Sequence, residues 1–260
     1  MQKLFEPLTQ AFRENHGILS HSRYACIVKQ HSTLFEESDT VFLLLQASGY
    51  PISETDNGYR LDTYFIPYEE QKFCIIDIET NGSKPGSSQI IEIGAVMVQN
   101  REIIDRYESF VACAYLPEYI TRITGIHPED LKEAPSRKEA LIGLRRFMQD
   151  AVFVAHNANF DYTFLNASFA RFGLGSIGNP KLCTIDLAQR TFESERYGLG
   201  YLIESLGLET ATHHRALSDA LCAAAVMQKS MQTLPEYIRT TDDLLRFSLS
   251  SKKERRFNKE

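Results

Sequence analysis

The sequence contains no apolar run near the ~18 residues that a membrane-spanning helix needs; Val41–Leu45, for example, gives way to Gln46 within one turn. Its start, Met1-Gln-Lys-Leu-Phe-Glu-Pro-Leu, lacks the basic-then-apolar order of a secretory leader, so a cytoplasmic location is expected. Cysteine is sparse: Cys26, Cys74, Cys113, Cys183 and Cys222 are odd in number, widely spaced and never arranged C-x-x-C. That excludes a disulfide framework and a zinc knuckle, leaving reduced and mostly buried thiols. No internal repeat of solenoid or propeller period occurs. Positive charge is also short, with 28 Lys and Arg against 34 Asp and Glu. The balance is −5 over residues 1–70, −3 over 71–235 and +2 over 236–260. Nothing here makes a basic face able to grip long nucleic acid by its phosphates. A nucleic-acid substrate would have to be held at a small site, with metal ions supplying the positive charge.

The 260 residues are 43% hydrophobic and 24% charged, an ordinary globular composition that excludes disorder and collagen-like repeats. The length suits a medium domain with an appendage. Residues 1–70 form the appendage: helices at Lys3–Asn15 and Tyr24–His31, an apolar segment Asp39–Ser48, then a hairpin turning at Asn57-Gly58. Helices followed by a hairpin resemble a winged-helix module. The acidic balance disfavours DNA as its ligand and favours packing on the main domain or on a partner.

Residues 71–235 read as an α/β domain. Phe73–Glu79 is a nearly continuous apolar run, a central strand buried on both faces. Strands at Gln89–Val98 and Glu102–Ala112 complete a meander. A helix at Ser136–Gln149 opens on the capping box Ser136-x-x-Glu139 and carries the stripe Ala140, Leu141, Leu144, Phe147, Met148. A strand at Ala151–Ala155, a helix at Phe160–Phe172, a strand at Lys181–Thr184, and helices at Ile185–Phe192, Leu199–Leu206 and Leu217–Gln232 follow. This order predicts a mixed five-stranded sheet flanked by helices. Residues 236–260 are expected to be a short helix and a frayed basic tail.

Three groups of acids interrupt this apolar pattern. Asp77 and Glu79 alternate by two on a strand and so share a face, where like charges raise one another's pKa unless a cation neutralises them. Asp161, in His156-Asn-Ala-Asn-Phe-Asp161, heads the stripe Phe164, Leu165, Phe169 and Phe172 of its helix and therefore points inward. Asp219, in His214-Arg-Ala-Leu-Ser-Asp219, likewise begins the stripe Cys222, Ala223, Val226. His214 precedes that helix in a loop, placed to lean over the same site as a general base. Inward oxygen ligands without cysteine favour Mg²⁺ or Mn²⁺ over zinc.

Phe73-Cys-Ile-Ile-Asp77-Ile-Glu79-Thr80, His156-Asn-Ala-Asn-Phe-Asp161 and His214-Arg-Ala-Leu-Ser-Asp219 resemble the three motifs of the DEDDh family of 3′-to-5′ exonucleases, typified by the proofreading epsilon subunit of bacterial DNA polymerase III. The likeness covers residues 72–232 and includes Ile90-Ile-Glu-Ile-Gly94 and Ile123-Thr-Gly-Ile126. It implies a ribonuclease H-like fold and two-metal phosphodiester hydrolysis releasing nucleoside 5′-monophosphates. By position, Asp77 would bridge both ions, Glu79 and Asp219 would complete the site that activates water, and Asp161 would help hold the second ion. His214 would take the water's proton, with His213 as its decoy. Thr80, Thr124, Gly125 and Ile126 would line the terminal nucleotide, and His156 and Phe160 would shape its pocket.

The implied partners are a single-stranded DNA 3′ end, with RNA the alternative, and a polymerase catalytic subunit; no membrane is implied. Glu92 reads as structural, and Gln228-Lys-Ser-Met231 as helix surface with only a faint likeness to a clamp-binding peptide. From another class, a noncatalytic binding module would be expected to lack a metal ligand, and all five positions are filled.

Overall fold

The structure is a computed structural model that describes residues 1–31, 37–207 and 214–251. His213 and the basic tail lie outside the described residues. The chain opens with α1 (Gln2–Glu14), β1 (Ile18–Ser20), α2 (His21–His31), α3 (Ser38–Ala47), β2 (Ile52–Thr55) and β3 (Gly58–Leu61). These give a three-stranded antiparallel sheet in the order β1-β3-β2. The hairpin turns at the Asn-Gly pair as its sequence demands, pairing Thr55 with Gly58. The sequence reading has no strand at β1, which is defined by its pairing with Gly58, Tyr59 and Arg60 of β3. Leu4, Leu8, Phe12, Tyr24, Val41, Leu45, Tyr59 and Leu61 give this module its own core.

The larger unit follows as β4 (Phe73–Thr80), β5 (Ile90–Gln99), β6 (Glu102–Phe110), α4 (Glu118–Thr124), α5 (Pro128–Lys132), α6 (Arg137–Met148), β7 (Val152–Ala155), α7 (Ala158–Arg171), β8 (Lys181–Cys183), α8 (Thr184–Thr191), α9 (Leu199–Leu206), α10 (Ala216–Met231) and α11 (Thr241–Leu249). The sheet order is β6-β5-β4-β7-β8. β4–β5 and β5–β6 pair antiparallel, whereas β4–β7 and β7–β8 pair parallel. This is the mixed five-stranded sheet that the sequence predicts.

Both faces of the sheet are covered. Cys74, Ile76 and Ile78 point to one side and pack with Leu141, Leu144, Phe164 and Phe169 of α6 and α7. Phe73 and Ile75 point to the other and meet Ala220, Ala223, Ala224 and Met227 of α10 with Leu244 of α11. The alternation that sends even-numbered residues of β4 toward α6 and α7 sends Asp77 and Glu79 toward α10. Alanines let α10 lie close to the sheet. At Gly94 of β5 the approach is closest, and a Cβ there would collide with the backbone of Ala216 and Leu217.

The short helices α4 and α5 escape the sequence reading, since neither is long enough for a 3.6-residue stripe. Their cohesion is tertiary: Ile120, Ile126 and Leu131 close over Ile91.

The module is pinned to the larger unit at two places. Arg13 grips the buried Asp242 with two nitrogens, Nε at 2.9 Å and Nη2 at 2.7 Å from Oδ1. Ser48 O accepts from Gly178 N at 2.7 Å and from Arg145 Nη1 at 2.8 Å. Between these points Ile66 O receives Thr241 N at 2.9 Å, and Pro67 bridges to Thr240. The segment after residue 235 is therefore a joint, with α11 seated against the turn at Asp62–Tyr64.

Candidate active site

Three elements deliver the acids to one end of the sheet. β4 carries Asp77 and Glu79 near its C-terminal end, where pairing with β5 shifts register between Glu79 and Thr80. α7 supplies Asp161 from its first turn. The bend before it is made by Asn157, held at φ +67° in the left-handed region that asparagine tolerates better than most residues. α10 supplies Asp219, also from its first turn. Acids near helix N-termini are favoured there by the exposed N–H dipoles.

The carboxylates converge. One ligand atom each from Glu79, His214 and Asp219 lie within 4.8 Å of one another. Asp77 feels the charges of Asp161, Asp219 and Glu79, which add to burial in holding its carboxyl well above the usual range. Burial first, then Asp219 and Glu92, push Glu79 to about 8, with Arg215 acting the other way. Asp161, 3% exposed, is pushed by burial to about 7 although backbone N–H groups, including that of Ile78, favour its anion. Carboxyls whose proton affinity is raised by burial and by one another are also the groups whose repulsion a cation between them would relieve. The donor set, all oxygen apart from one imidazole, fits hard divalent ions.

His214 is exposed and sits immediately before α10 at φ +61°. A non-glycine residue in that region costs about 1–3 kcal/mol and persists only where its surroundings fix it. The next two residues are anchored to β5 through Glu92. Glu92, fully buried on β5, accepts Arg215 Nε at 3.0 Å and Nη2 at 2.7 Å on Oε1, and Ala216 N at 3.0 Å on Oε2. Glu92 thus ties β5 to the N-terminal end of α10. Arg215 has no role in the sequence reading; the signal that points to it is an acid inside the otherwise apolar β5, which needs a cation nearby.

The residues expected around a terminal nucleotide divide into two kinds. Thr80 is half-buried and donates its hydroxyl to Gly82 O at 2.9 Å. Thr124 is buried; its hydroxyl donates to Ile120 O and accepts from Ile126 N, so it shapes the loop from inside. Ile126 is buried with it. Gly125 is the exposed member, at φ +69° as the left-handed cap of α4, beside Ile123, which is 53% exposed. Both ring nitrogens of His156 are engaged within the protein, Nε2 donating to Tyr197 O at 2.9 Å and Nδ1 accepting from Thr184 Oγ1 at 2.8 Å. Burial lowers this imidazole to about 4, consistent with that neutral tautomer. His156 thus braces the chain between β7 and the segment before α9. Phe160, 37% exposed, tilts against Phe164 and is turned outward next to Asp161. Gln228-Lys-Ser-Met231 is the last turn of α10, with Ser230 and Met231 buried, which leaves no extended peptide there.

Comparison with known proteins agrees with this geometry. The exonuclease family of RNase T type matches residues 74–227. The PolC-type DNA polymerase III of Staphylococcus haemolyticus is 32% identical over 234 residues, 88% of this chain and 15% of that protein. The PolC-type enzyme of Caldanaerobacter subterraneus is 37% identical over 169 residues, 64% of this chain and 12% of that one. The chain therefore spans only 12–15% of the length of these relatives. Among solved structures, E. coli Exonuclease I bound to a dT13 oligonucleotide superposes with a TM-score of 0.55 at 19% identity, over 63% of this chain and 41% of that one. Exonuclease X in complex with 5′ overhanging duplex DNA gives 0.54 at 25%, over 68% and 99%. With residues 74–227 matched, and with the acids of three separate elements drawn to one end of a five-stranded sheet, this chain belongs to the exonuclease family.

Proposed function

We propose that the chain hydrolyses phosphodiester bonds stepwise from the 3′ end of single-stranded DNA, using divalent metal ions, in replication proofreading or repair. The observation that carries this reading is the approach of Glu79, His214 and Asp219 to within 4.8 Å, with Asp77 near enough to Asp161, Asp219 and Glu79 to feel their charges. Asp77, Glu79, Asp161 and Asp219 would hold Mg²⁺ or Mn²⁺; bound there, such ions would lower the pKa of an attacking water and offset the charge of the phosphate oxygens. His214, at the exposed rim of the site, accepts the water's proton. Phe160, Ile123 and Gly125 offer exposed surface on which an unstacked base can rest without sequence preference. Thr124 and Ile126 shape the loop that carries Ile123 and Gly125, and Thr80 and His156 would border the pocket for the terminal nucleotide.

DNA is favoured as substrate because the exonuclease relatives are DNA polymerases and the matched structures include single-stranded and overhanging DNA complexes. The same relatives support a replicative polymerase as partner. Among the described residues no helix is long and apolar enough to cross a membrane.

The test uses a 5′-labelled single-stranded DNA oligonucleotide and its RNA twin with Mg²⁺ or Mn²⁺. A ladder shortening from the 3′ end is expected, abolished by EDTA and by Asp77→Ala and slowed at least about 100-fold by His214→Ala. Faster loss of the RNA would make RNA 3′-end processing the function. An active Asp77→Ala protein would refute the site.

A further inference from the structure

We infer that Glu92 is a positioning residue for this chemistry, holding through Arg215 and Ala216 both the turn that carries His214 and the helix end that carries Asp219. The inference rests on the exonuclease reading above. Glu92 lies directly across the antiparallel pair from Glu79, on the same face of the sheet. A further carboxylate there is electrostatically adverse, since its charge helps to raise both Asp77 and Glu79. Its return is geometric, because each of its oxygens has a separate task.

One oxygen takes the two-pronged guanidinium of Arg215, and the other takes the backbone N–H of Ala216. Ala216 is the first residue of α10, and its N–H is among those a helix leaves without an internal partner. Arg215, in the capping position, has no side-chain cap of its own, so the neighbouring strand caps the helix in its place. Asp219 N donates to Arg215 O at 2.9 Å, which extends the grip through the first turn. On the other side of Arg215 stands His214 in its left-handed turn. The guanidinium is held further by the Phe110 ring, 5.2 Å away, and by Glu108 at 3.8 Å. Gly94, two residues beyond Glu92, removes the one side chain that would keep the helix end from reaching this anchor.

The grip has strict requirements. Glu92→Gln preserves size but leaves a single acceptor oxygen, so one of the two ends is lost. Arg215→Lys preserves charge but cannot present two parallel N–H groups to one carboxylate. Mn²⁺ binding by electron paramagnetic resonance, and kcat and KM on a single-stranded DNA oligonucleotide, are measured for the full chain and for both variants, with the folded fraction fixed by circular dichroism. Both variants are expected to fold, to bind Mn²⁺ about 10–100-fold more weakly and to lose kcat by a similar factor while KM for DNA stays within about twofold. A structural brace alone would lower the melting temperature and leave Mn²⁺ affinity and kcat per folded molecule as in wild type, and that result overturns the inference. If Glu92→Gln does not fold, Arg215→Lys, altered at a partly exposed side chain, decides by the same two readouts. If the wild type binds Mn²⁺ but cleaves nothing, the exonuclease reading fails, and the Mn²⁺ affinities of the variants still decide for or against Glu92.

Discussion

At the residue scale the site is defined by acids that repel one another. Glu79 and Asp161 have pKa values raised to about 8 and about 7 from ordinary values of 4.5 and 3.8. A group whose folded value lies above its unfolded one contributes stability that is complete below the unfolded value and is lost as pH rises through the folded one. The metal-free protein is therefore expected to melt lower at pH 8 than at pH 5 by about 5 °C or more, the shift that a loss of about 2 kcal/mol produces in a chain of this size. Glu79→Gln should flatten that decline, and added Mn²⁺ should reverse it at pH 8, where the carboxylates are ready to ligate. Differential scanning fluorimetry across pH, with and without metal, checks all three; a metal-free protein equally stable at both pH values would contradict the clustering. Asp77, Glu79, Asp161 and Asp219 were legible in the sequence because each is an acid opening or interrupting an apolar stripe. His156, Thr124 and Ile126 stand in the expected motifs, but whether a side chain faces the substrate or its own scaffold depends on partners distant in sequence, such as Thr184 and Tyr197 for His156.

At the element scale the decisive contact is α10 against β5. The alanines of α10 and the glycine of β5 bring a helix end and a strand together closely enough for a carboxylate on one to cap the other. Gly94→Ala introduces one methyl where the backbone of Ala216 and Leu217 already sits. The helix must move away from the sheet, at a cost of about 1–3 kcal/mol for overpacking. Asp219 moves with it. Exonuclease activity is expected to fall at least about 10-fold at a temperature where the variant is still folded, and Mn²⁺ affinity to fall with it; unchanged activity would mean that the helix end tolerates the shift. The long elements were predictable to within two residues at most of their ends, since they bury enough side chains to show a period. The sequence reading has no β1, α4 or α5; β1 is made by its pairing with β3, and α4 and α5 are held by the side chains they pack against.

At the scale of the whole molecule the N-terminal module is fastened to the exonuclease unit. Arg13 from α1 pairs with Asp242 on α11, with side chains 28% and 2% exposed. Arg13→Ala leaves a buried carboxylate without its cation. The expected loss is on the order of 2 kcal/mol, below the roughly 3–5 of a fully buried pair because Arg13 keeps part of its side chain in water. Chemical denaturation checks this; kcat below the melting range should be unchanged, since neither residue belongs to the site. An unchanged midpoint would mean that the module and α11 hold together without the pair. The exposed face of α3 carries Asp39, Leu43 and Leu44.

The sequence by itself determined the mixed five-stranded sheet flanked by helices and the presence of acids at the head of apolar stripes, because periodicity and inward charge are local properties of a chain. It also determined the exonuclease likeness, since the three motifs are short and contiguous. Only the tertiary structure decided which carboxylates meet, which of the motif's polar groups are spent on the scaffold, and how the module docks. Those outcomes depend on pairs such as Glu92 with Arg215 and Arg13 with Asp242, which lie 123 and 229 residues apart. A hydrogen bond or ion pair between distant residues leaves no period in the sequence; it exists only once the sheet has brought its partners together.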